Sequence, residues 1–150
     1  MKRLNASQKI MIVDDSDDDY SATVRALSRD GGLQNPLHRC EDGQQALDYL
    51  FRRGFCNDED KADLPGIILL DLNMPRIDGR RVLEELKKDD RLKRIPVIVM
   101  TNSNADRDID ECYRLGANTY INKPFEWAEF CKVIRHLKEY WFEIASIPKW

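Results

Sequence analysis

No stretch of this chain stays apolar for the roughly 20 residues that a bilayer-spanning helix needs. The basic N-terminus, MKRLNASQKI, is followed by no long apolar run, so it does not read as a signal peptide. Cysteine is sparse: Cys40, Cys56, Cys112 and Cys131 include no Cys-x-x-Cys pair, and the two histidines do not cluster. That pattern argues against a zinc site and a disulfide framework, and fits reduced thiols in the cytoplasm. Positive charge is not in excess either. Lys and Arg total 24 against 27 Asp and Glu, a formal net charge of -3, which argues against non-specific attraction to nucleic acid or membrane. The basic pairs Arg52-Arg53 and Arg80-Arg81 are interleaved with acids and read as solvated helix faces. Repeats, low-complexity segments and interdomain linkers are missing as well. Residues 1–150 are therefore expected to form one domain, long enough to bury a single core.

What the chain does contain is an alternation of apolar runs and amphipathic stretches. KIMIV (9–13) is a compact apolar run, the pattern of a strand buried on both faces. DDYSATVRALSRDGG (18–32) spaces Tyr20, Val24 and Leu27 as on a helix, with Gly31-Gly32 as its stop. NPLHRC (35–40) is a weaker strand, and GQQALDYLFRRG (43–54) a helix with Ala46, Leu47, Leu50 and Phe51 on one face. A charged connection without period, FCNDEDKADLPG (55–66), leads to a second strong strand, IILLDL (67–72). A helix over GRRVLEELKKDD (79–90) follows, with Val82, Leu83 and Leu86 inward, and then a third strong strand, IPVIVMT (95–101). Pro96 lies near the start of that strand, where a missing ladder donor is tolerated. A helix from Ala105 to Leu115 stops at Gly116, NTYIN (118–122) reads as the last strand, and FEWAEFCKVIRHLKEYWFEI (125–144) as a long terminal helix. Five strands, each followed by a helix, imply an α/β fold whose parallel sheet is covered on both faces.

The first strong strand runs into a burst of acid, MIVDDSDDDY (11–20). Taken alone, the burst reads equally as a solvated turn or as a site for a hard cation. The other strands decide. Their carboxyl ends carry Asp14 and Asp15, then Asp71, then Thr101 and Asn102, and finally Lys123 followed by Pro124. In an open parallel sheet those ends share one edge, where such folds place their ligand site. Each residue has an ordinary role available, as a helix cap, a turn hydroxyl or a solvated lysine. Four strands ending in groups that make one site are harder to assign to chance. Two unit charges about 4 Å apart at an effective dielectric near 20 interact by roughly 4 kcal/mol, so three crowded carboxylates need more than one lysine. A divalent cation closes the balance, and sparse all-oxygen donors suit Mg²⁺. A metal, a fixed ammonium, a hydroxyl and a nucleophilic carboxylate are the equipment of phosphoryl transfer. Asp17, Asp18 and Asp19 read instead as the first turn of a helix capped by Ser16, their charge favouring its positive end.

These residues resemble the receiver domain of two-component response regulators over essentially the whole chain. The resemblance rests on IVDDS (12–16), LLDLNMPRIDG (69–79), VIVMT (97–101) and YINKPF (120–125), in that order. It implies a flavodoxin-like fold: a doubly wound, five-stranded parallel sheet of order 2-1-3-4-5 with five helices. It also implies that Asp71 is the phosphoacceptor, taking a phosphoryl group from a sensor histidine kinase in a Mg²⁺-dependent reaction. Asp15 would ligate the metal directly, Asp14 through water, and Asn73 through its backbone carbonyl. Lys123 would pair with the Asp71 carboxylate and then with the phosphoryl oxygens. Thr101 would move to bond the phosphoryl group, with Tyr120 following it inward. The Lys123-Pro124 bond would be cis, as is usual in the family. Such a protein assists its own phosphorylation without turning over an external substrate. It would signal to a downstream protein by contact through the fourth helix, fifth strand and fifth helix, with no output domain.

Three features depart from a minimal receiver. Asn102 replaces a small residue beside Thr101, which would narrow access to Asp71. The 55–66 connection is long and charged, either a tolerated surface insertion or a partner contact. The end of the chain is aromatic. Trp127 and Phe130 read as core, whereas Trp141, Phe142 and Trp150, in a tail over about 141–150, suggest a surface for a partner or for homodimerisation. The tail and connection resemble those of single-domain regulators paired with phytochrome-type kinases. Two other readings remain at this stage: a degenerate receiver acting as a phosphorylation-independent interaction module, and an aspartate-nucleophile phosphatase. The phosphatase expects a second carboxylate two residues after the nucleophile, where this chain has Asn73.

Overall fold

A computed structural model describes residues 7–29, 32–51 and 64–148 of the chain. Most of the 55–66 connection, Cys56, Arg52-Arg53, Gly31, the basic N-terminus and Trp150 lie outside the described residues. Among the described residues, five parallel strands alternate with five α-helices. They are β1 (Ile10–Val13), α1 (Asp17–Leu27), β2 (Leu37–Cys40), α2 (Gly43–Phe51), β3 (Ile67–Leu70), α3 (Gly79–Lys88), β4 (Val97–Thr101), α4 (Asp106–Arg114), β5 (Thr119–Asn122) and α5 (Trp127–Lys138). The sheet order is β2-β1-β3-β4-β5, the doubly wound, flavodoxin-like arrangement expected from the sequence. Winding therefore reverses between β1 and β3, and the crevice of this fold class opens at the carboxyl ends of those two strands.

Period-two alternation divides the strands between two cores. Met11, Val13, Ile68, Leu70, Val97 and Val99 face Leu47, Leu50, Leu83 and Leu86 of α2 and α3. Ile10, Ile12, Ile67, Leu69, Ile98 and Met100 face Leu27 of α1 and Phe130, Ile134 and Leu137 of α5. Both faces are covered, which is why β1, β3 and β4 are buried at every position and apolar at all but Thr101, not at every second one. Each fully buried aliphatic side chain stabilises the fold by about 1.5–3 kcal/mol of transfer free energy.

Local signals start α1 and α3 and end α4 as expected, whereas α1 stops at Leu27, capped at Ser28, short of the Gly31-Gly32 stop read from the sequence. The Ser16 hydroxyl accepts from Asp19 N–H at 3.1 Å and caps α1, whose first turn holds Asp17, Asp18 and Asp19. Asp78 caps α3 in the same way, accepting from Arg81 N–H at 3.2 Å. Gly116, at φ 107°, takes the left-handed position just after α4. Between α3 and β4 a 3₁₀ turn over Leu92–Arg94 is capped by Lys87, whose Nζ donates to the carbonyls of Lys93 and Ile95 at 2.9 and 3.0 Å.

The terminal helix differs from its expected form. After Lys138 it widens into a π-helical turn over Glu139–Ile144, closed by a 2.7 Å bond from Ala145 N–H to the Tyr140 carbonyl. The chain then folds back. Trp141 and Phe142 pack partly buried against the α1/α5 core, and Ile147 is buried in it. Those two aromatics thus serve the domain's own core, leaving Tyr140 and Ile144 as the exposed apolar side chains of this segment. Trp127 and Phe130 pack inward as expected. The Lys123-Pro124 bond is trans, like every other bond among the described residues, which corrects the cis expectation. Trans is the lower-energy form for X-Pro by about 0.5–1 kcal/mol. Cys40, Cys112 and Cys131 are free thiols, the first two buried. No helix among the described residues is long and apolar enough to cross a membrane.

Gly79 makes a close backbone approach directly beneath the carboxyl end of β3. Its N–H bonds the Leu72 carbonyl at 2.9 Å, and a Cβ there would meet the Asp71 carbonyl oxygen at 2.3 Å and Leu72 Cα at 2.8 Å. Both neighbours are backbone, so they cannot give way as a side chain could. Gly79→Ala is therefore expected to destabilise the protein by about 1–3 kcal/mol, read as a lower urea midpoint. An unchanged midpoint would refute this account of the glycine.

Candidate functional site

Backbone hydrogen bonds extend the sheet just past its strands and fix the residues that follow. Asp14 N–H donates to the Cys40 carbonyl at 3.1 Å, Asp71 N–H to Val13 at 3.0 Å, and Lys123 N–H to Thr101 at 2.8 Å. Residues over a hundred positions apart in the chain are thereby held at one edge. Asp14, Asp15 and Asp71 each bring a carboxylate oxygen within 4.8 Å of the other two. Asp14 is buried, Asp71 half-buried and Asp15 exposed, so the cluster opens to solvent on one side. Hard, anionic oxygen donors in an incomplete cage fit a divalent cation of the Mg²⁺ class.

Lys123 is placed differently from expectation. Its Nζ donates to Asp14 Oδ2 at 3.2 Å and Asp19 Oδ2 at 3.4 Å, and not to the Asp71 carboxylate. The ammonium and Asp14 are both nearly buried, with side chains 9% and 5% exposed, while Asp19 is 44% exposed. Burial depresses the Lys123 ammonium, but the charges of Asp71, Asp14 and Asp19 outweigh it and leave its pKa above the ordinary value. Asp71 has the largest of those charge effects although it shares no hydrogen bond with Lys123. The lysine is thus bonded to two acids, Asp14 and Asp19, and acts on a third, Asp71, through its charge alone.

Burial also acts on the acids. It raises Asp14, against the opposing charge of Lys123. It pushes Asp71 up to about 6, opposed by Lys123 and reinforced by the charge of Asp14. A single lysine does not neutralise this edge.

Around Asp71 lie weaker polar contacts. Asn73 N–H donates to Asp71 Oδ1 at 3.4 Å, and its side-chain amide donates to Thr101 Oγ1 at 3.4 Å. Thr101 is fully buried. Tyr120 donates its hydroxyl to the Ser103 carbonyl at 2.8 Å, so its ring already points toward the loop after β4. Asn102 is exposed and borders a cavity of about 320 Å³ together with Lys123, Pro124, Phe125 and Trp127. All the expected site residues thus meet at one edge, except that the Lys123 to Asp71 pairing is replaced by the Asp14 and Asp19 pairs.

Two contributors went unread in the sequence. The sequence pattern places Asp19 only at the helix start, yet it lies five residues after Asp14, and helical side chains lean back toward the N-terminus. That lean carries its carboxylate to Lys123. Arg39 of β2 donates to the Asp14 carbonyl from Nη2 at 3.2 Å, pairs with Asp17 at 2.7 Å and stacks over the Tyr20 ring at 4.7 Å. It ties the turn between β1 and α1 to the edge strand. Nothing local in LHRC marks that role.

The chain is similar to known proteins in sequence and fold. The profile described as response regulator receiver domain matches residues 10–135. Response regulator Rcp1 of Synechocystis sp. is 33% identical over 144 residues, spanning 96% of this chain and 95% of that protein. The phosphorylated cyanobacterial phytochrome response regulator RcpA superposes with a TM-score of 0.86 at 35% identity, covering 95% of this chain and 99% of that one. The Mn²⁺-bound form of Rcp1 gives 0.83 at 33% identity, covering 94% and 99%.

Asp71 is harder to ionise folded, near 6, than unfolded, near 3.8, so its charge opposes folding. The penalty is complete above about pH 6 and vanishes below about pH 4. In chelator-treated protein, Asp71→Asn is expected to gain on the order of 1 kcal/mol at pH 8, after discounting for solvent screening. The gain should disappear as pH falls from 6 to 4. Urea midpoints at pH 8 and pH 4 check this, and an equal gain at both would contradict it.

Proposed function

This chain belongs to the response regulator receiver domain family, and from that membership we propose that it is a phosphoryl-accepting switch with Asp71 as the acceptor. The observation carrying the proposal is the gathering of Asp14, Asp15 and Asp71 oxygens within 4.8 Å, with the Lys123 ammonium beside them. An Asp71 oxygen would attack the phosphorus of a kinase phosphohistidine. The O–P bond forms as the N–P bond breaks, and the imidazole departs with the electron pair. Asp14, Asp15, Asp71 and the Asn73 carbonyl would hold Mg²⁺, which supplies positive charge to the phosphoryl oxygens when bound.

Lys123 would then exchange its carboxylate partners for a phosphoryl oxygen. The Thr101 hydroxyl accepts only two long bonds, from Asn73 and Ser103 at 3.4 Å, and so remains able to donate to the new group. The cavity beside Lys123, with Phe125 97% exposed at its rim, would offer a kinase helix an approach on the Lys123 side of the site. Since relatives include a cyanobacterial phytochrome response regulator, the kinase is proposed to be phytochrome-type and the setting cytoplasmic.

The rival readings fare less well. In a phosphatase the residue two past the nucleophile acts as an acid, and Asn73 instead donates an amide to Thr101. A degenerate receiver would be missing site residues that this chain retains.

Incubation with Mg²⁺ and acetyl phosphate should label the protein with an acid-stable, base-labile phosphate, absent in Asp71→Asn. No label on the wild type, with acetyl phosphate or with a phosphorylated kinase, would defeat the proposal.

Self-association is proposed at the β5 edge. β5 pairs on one side only, and an apolar groove beside it is lined by Ile121, Val133, Leu137, Tyr140 and Trp141. Tyr140→Glu should convert a dimer to a monomer by sedimentation. An unchanged mass would remove this surface from consideration.

A further inference from the structure

Outside the carboxylate cluster, a second set of charges joins α3, α4 and the loop after β4. Asp108, in the first turn of α4, is only 9% exposed, and acids are almost never buried without partners. Its two oxygens are divided between two elements. Oδ1 accepts from Arg80 Nη2 at 2.5 Å, and Oδ2 accepts from the Ser103 hydroxyl at 2.5 Å. Arg80, at the start of α3, also pairs with Asp78 at 3.4 Å and Glu111 at 3.3 Å. The Ser103 and Arg80 bonds hold the Asp108 carboxyl below its usual range, so it stays ionised.

Ser103 links this cluster to the site. Its side chain belongs to the Asp108 pair, but its main chain belongs to Thr101 and Tyr120. The Ser103 N–H donates to Thr101 Oγ1 at 3.4 Å, and its carbonyl accepts from the Tyr120 hydroxyl at 2.8 Å. A network that only packed α3 against α4 would need no such residue. Here the one side chain that Asp108 orders on the loop is the one whose backbone holds both Thr101 and Tyr120.

We propose that Ser103 and Asp108, braced by Arg80, are positioning residues for the phosphoryl switch: they fix the loop after β4 so that Thr101 and Tyr120 stand in their bonded orientations before a phosphoryl group arrives. The proposal rests on the reading of Asp71 as phosphoacceptor. Its consequence is a receptive state that is dominant and not rare, which removes the affinity loss of a ligand that must first select a minor conformer. If breaking the network lowers that population to about 10–30%, affinity for a phosphoryl mimic falls by about threefold to tenfold.

The experiment titrates Mg²⁺ and beryllofluoride, a non-reactive phosphoryl mimic, into wild type, Ser103→Ala, Asp108→Asn and Ser103→Thr. Fluorotyrosine is incorporated, and Tyr120→Phe assigns the Tyr120 fluorine resonance. The wild type should show one Tyr120 resonance that beryllofluoride barely moves. Ser103→Ala and Asp108→Asn should shift or broaden that resonance in the free state, bind the mimic about threefold to tenfold more weakly, and return to the wild-type resonance at saturation. Ser103→Thr, which keeps the hydroxyl, should restore affinity and resonance together. Should Asp108→Asn fail to fold, the Ser103 pair decides, since Ser103→Ala removes a single half-buried oxygen. Folded Ser103→Ala with wild-type affinity and an unmoved resonance overturns the positioning role. A wild type that neither binds the mimic nor labels with acetyl phosphate overturns the acceptor reading instead.

Discussion

Like charges crowded at the reversal point of the sheet are the constraint on which the rest of the site depends. Asp14 and Asp71 follow adjacent strands, and the ladder holds their backbones in register, so neither can retreat from the other. Asp15 adds a third charge, and Lys123 returns only one. The acids respond as buried, underneutralised groups must, with Asp71 raised to about 6. An edge held in this condition attracts cations and favours any event that redistributes its negative charge.

Lys123 shows how the imbalance is handled. A lysine bonded to Asp71 alone would quiet the proposed acceptor and leave Asp14 buried without a countercharge. Bonded instead to Asp14 and Asp19, it neutralises the more buried acid and still acts on Asp71 at a distance. Asp19 sits partly in water and completes the ammonium's partners at little desolvation cost. The acid run after β1 is thus shared among three tasks: Asp14 and Asp15 at the cluster, Asp17 toward Arg39, and Asp19 toward Lys123.

The scaffold couples this edge to the outer surface through short polar links. Arg39 fixes the start of α1 from β2, and the Arg80, Asp108 and Ser103 set fixes the loop after β4 from α3 and α4. The Arg39 and Arg80 links cross between elements that the chain separates by more than twenty residues, whereas Ser103 and Asp108 lie five residues apart. Buried polar groups of this kind are satisfied throughout: among the described residues no buried side-chain nitrogen or oxygen lacks a partner. The aromatic end follows the same economy, since Trp141 and Phe142 turn back onto the α1/α5 core and leave Tyr140 at the groove beside β5.

Much of this was legible in the residues themselves. Uninterrupted apolar runs marked β1, β3 and β4, because a strand covered on both faces has no polar position to alternate. Ser16 and Gly116 marked helix ends through local hydrogen bonding and backbone freedom that need no distant partner. The residues at the carboxyl edge could be named because a parallel sheet brings all such ends together. What the sequence could not determine was pairing among equals. Lys123 had three acids within reach, and only packing decided that Asp14 and Asp19 hold it. Ser103 and Asp108 bond each other across five residues, but Arg80 from α3 and Tyr120 from β5, the partners that tie them to the site, reach them only after folding. Local chemistry acts over a few residues and is therefore written in order along the chain. The choice among competing partners is made by distance and burial, which exist only in the folded protein.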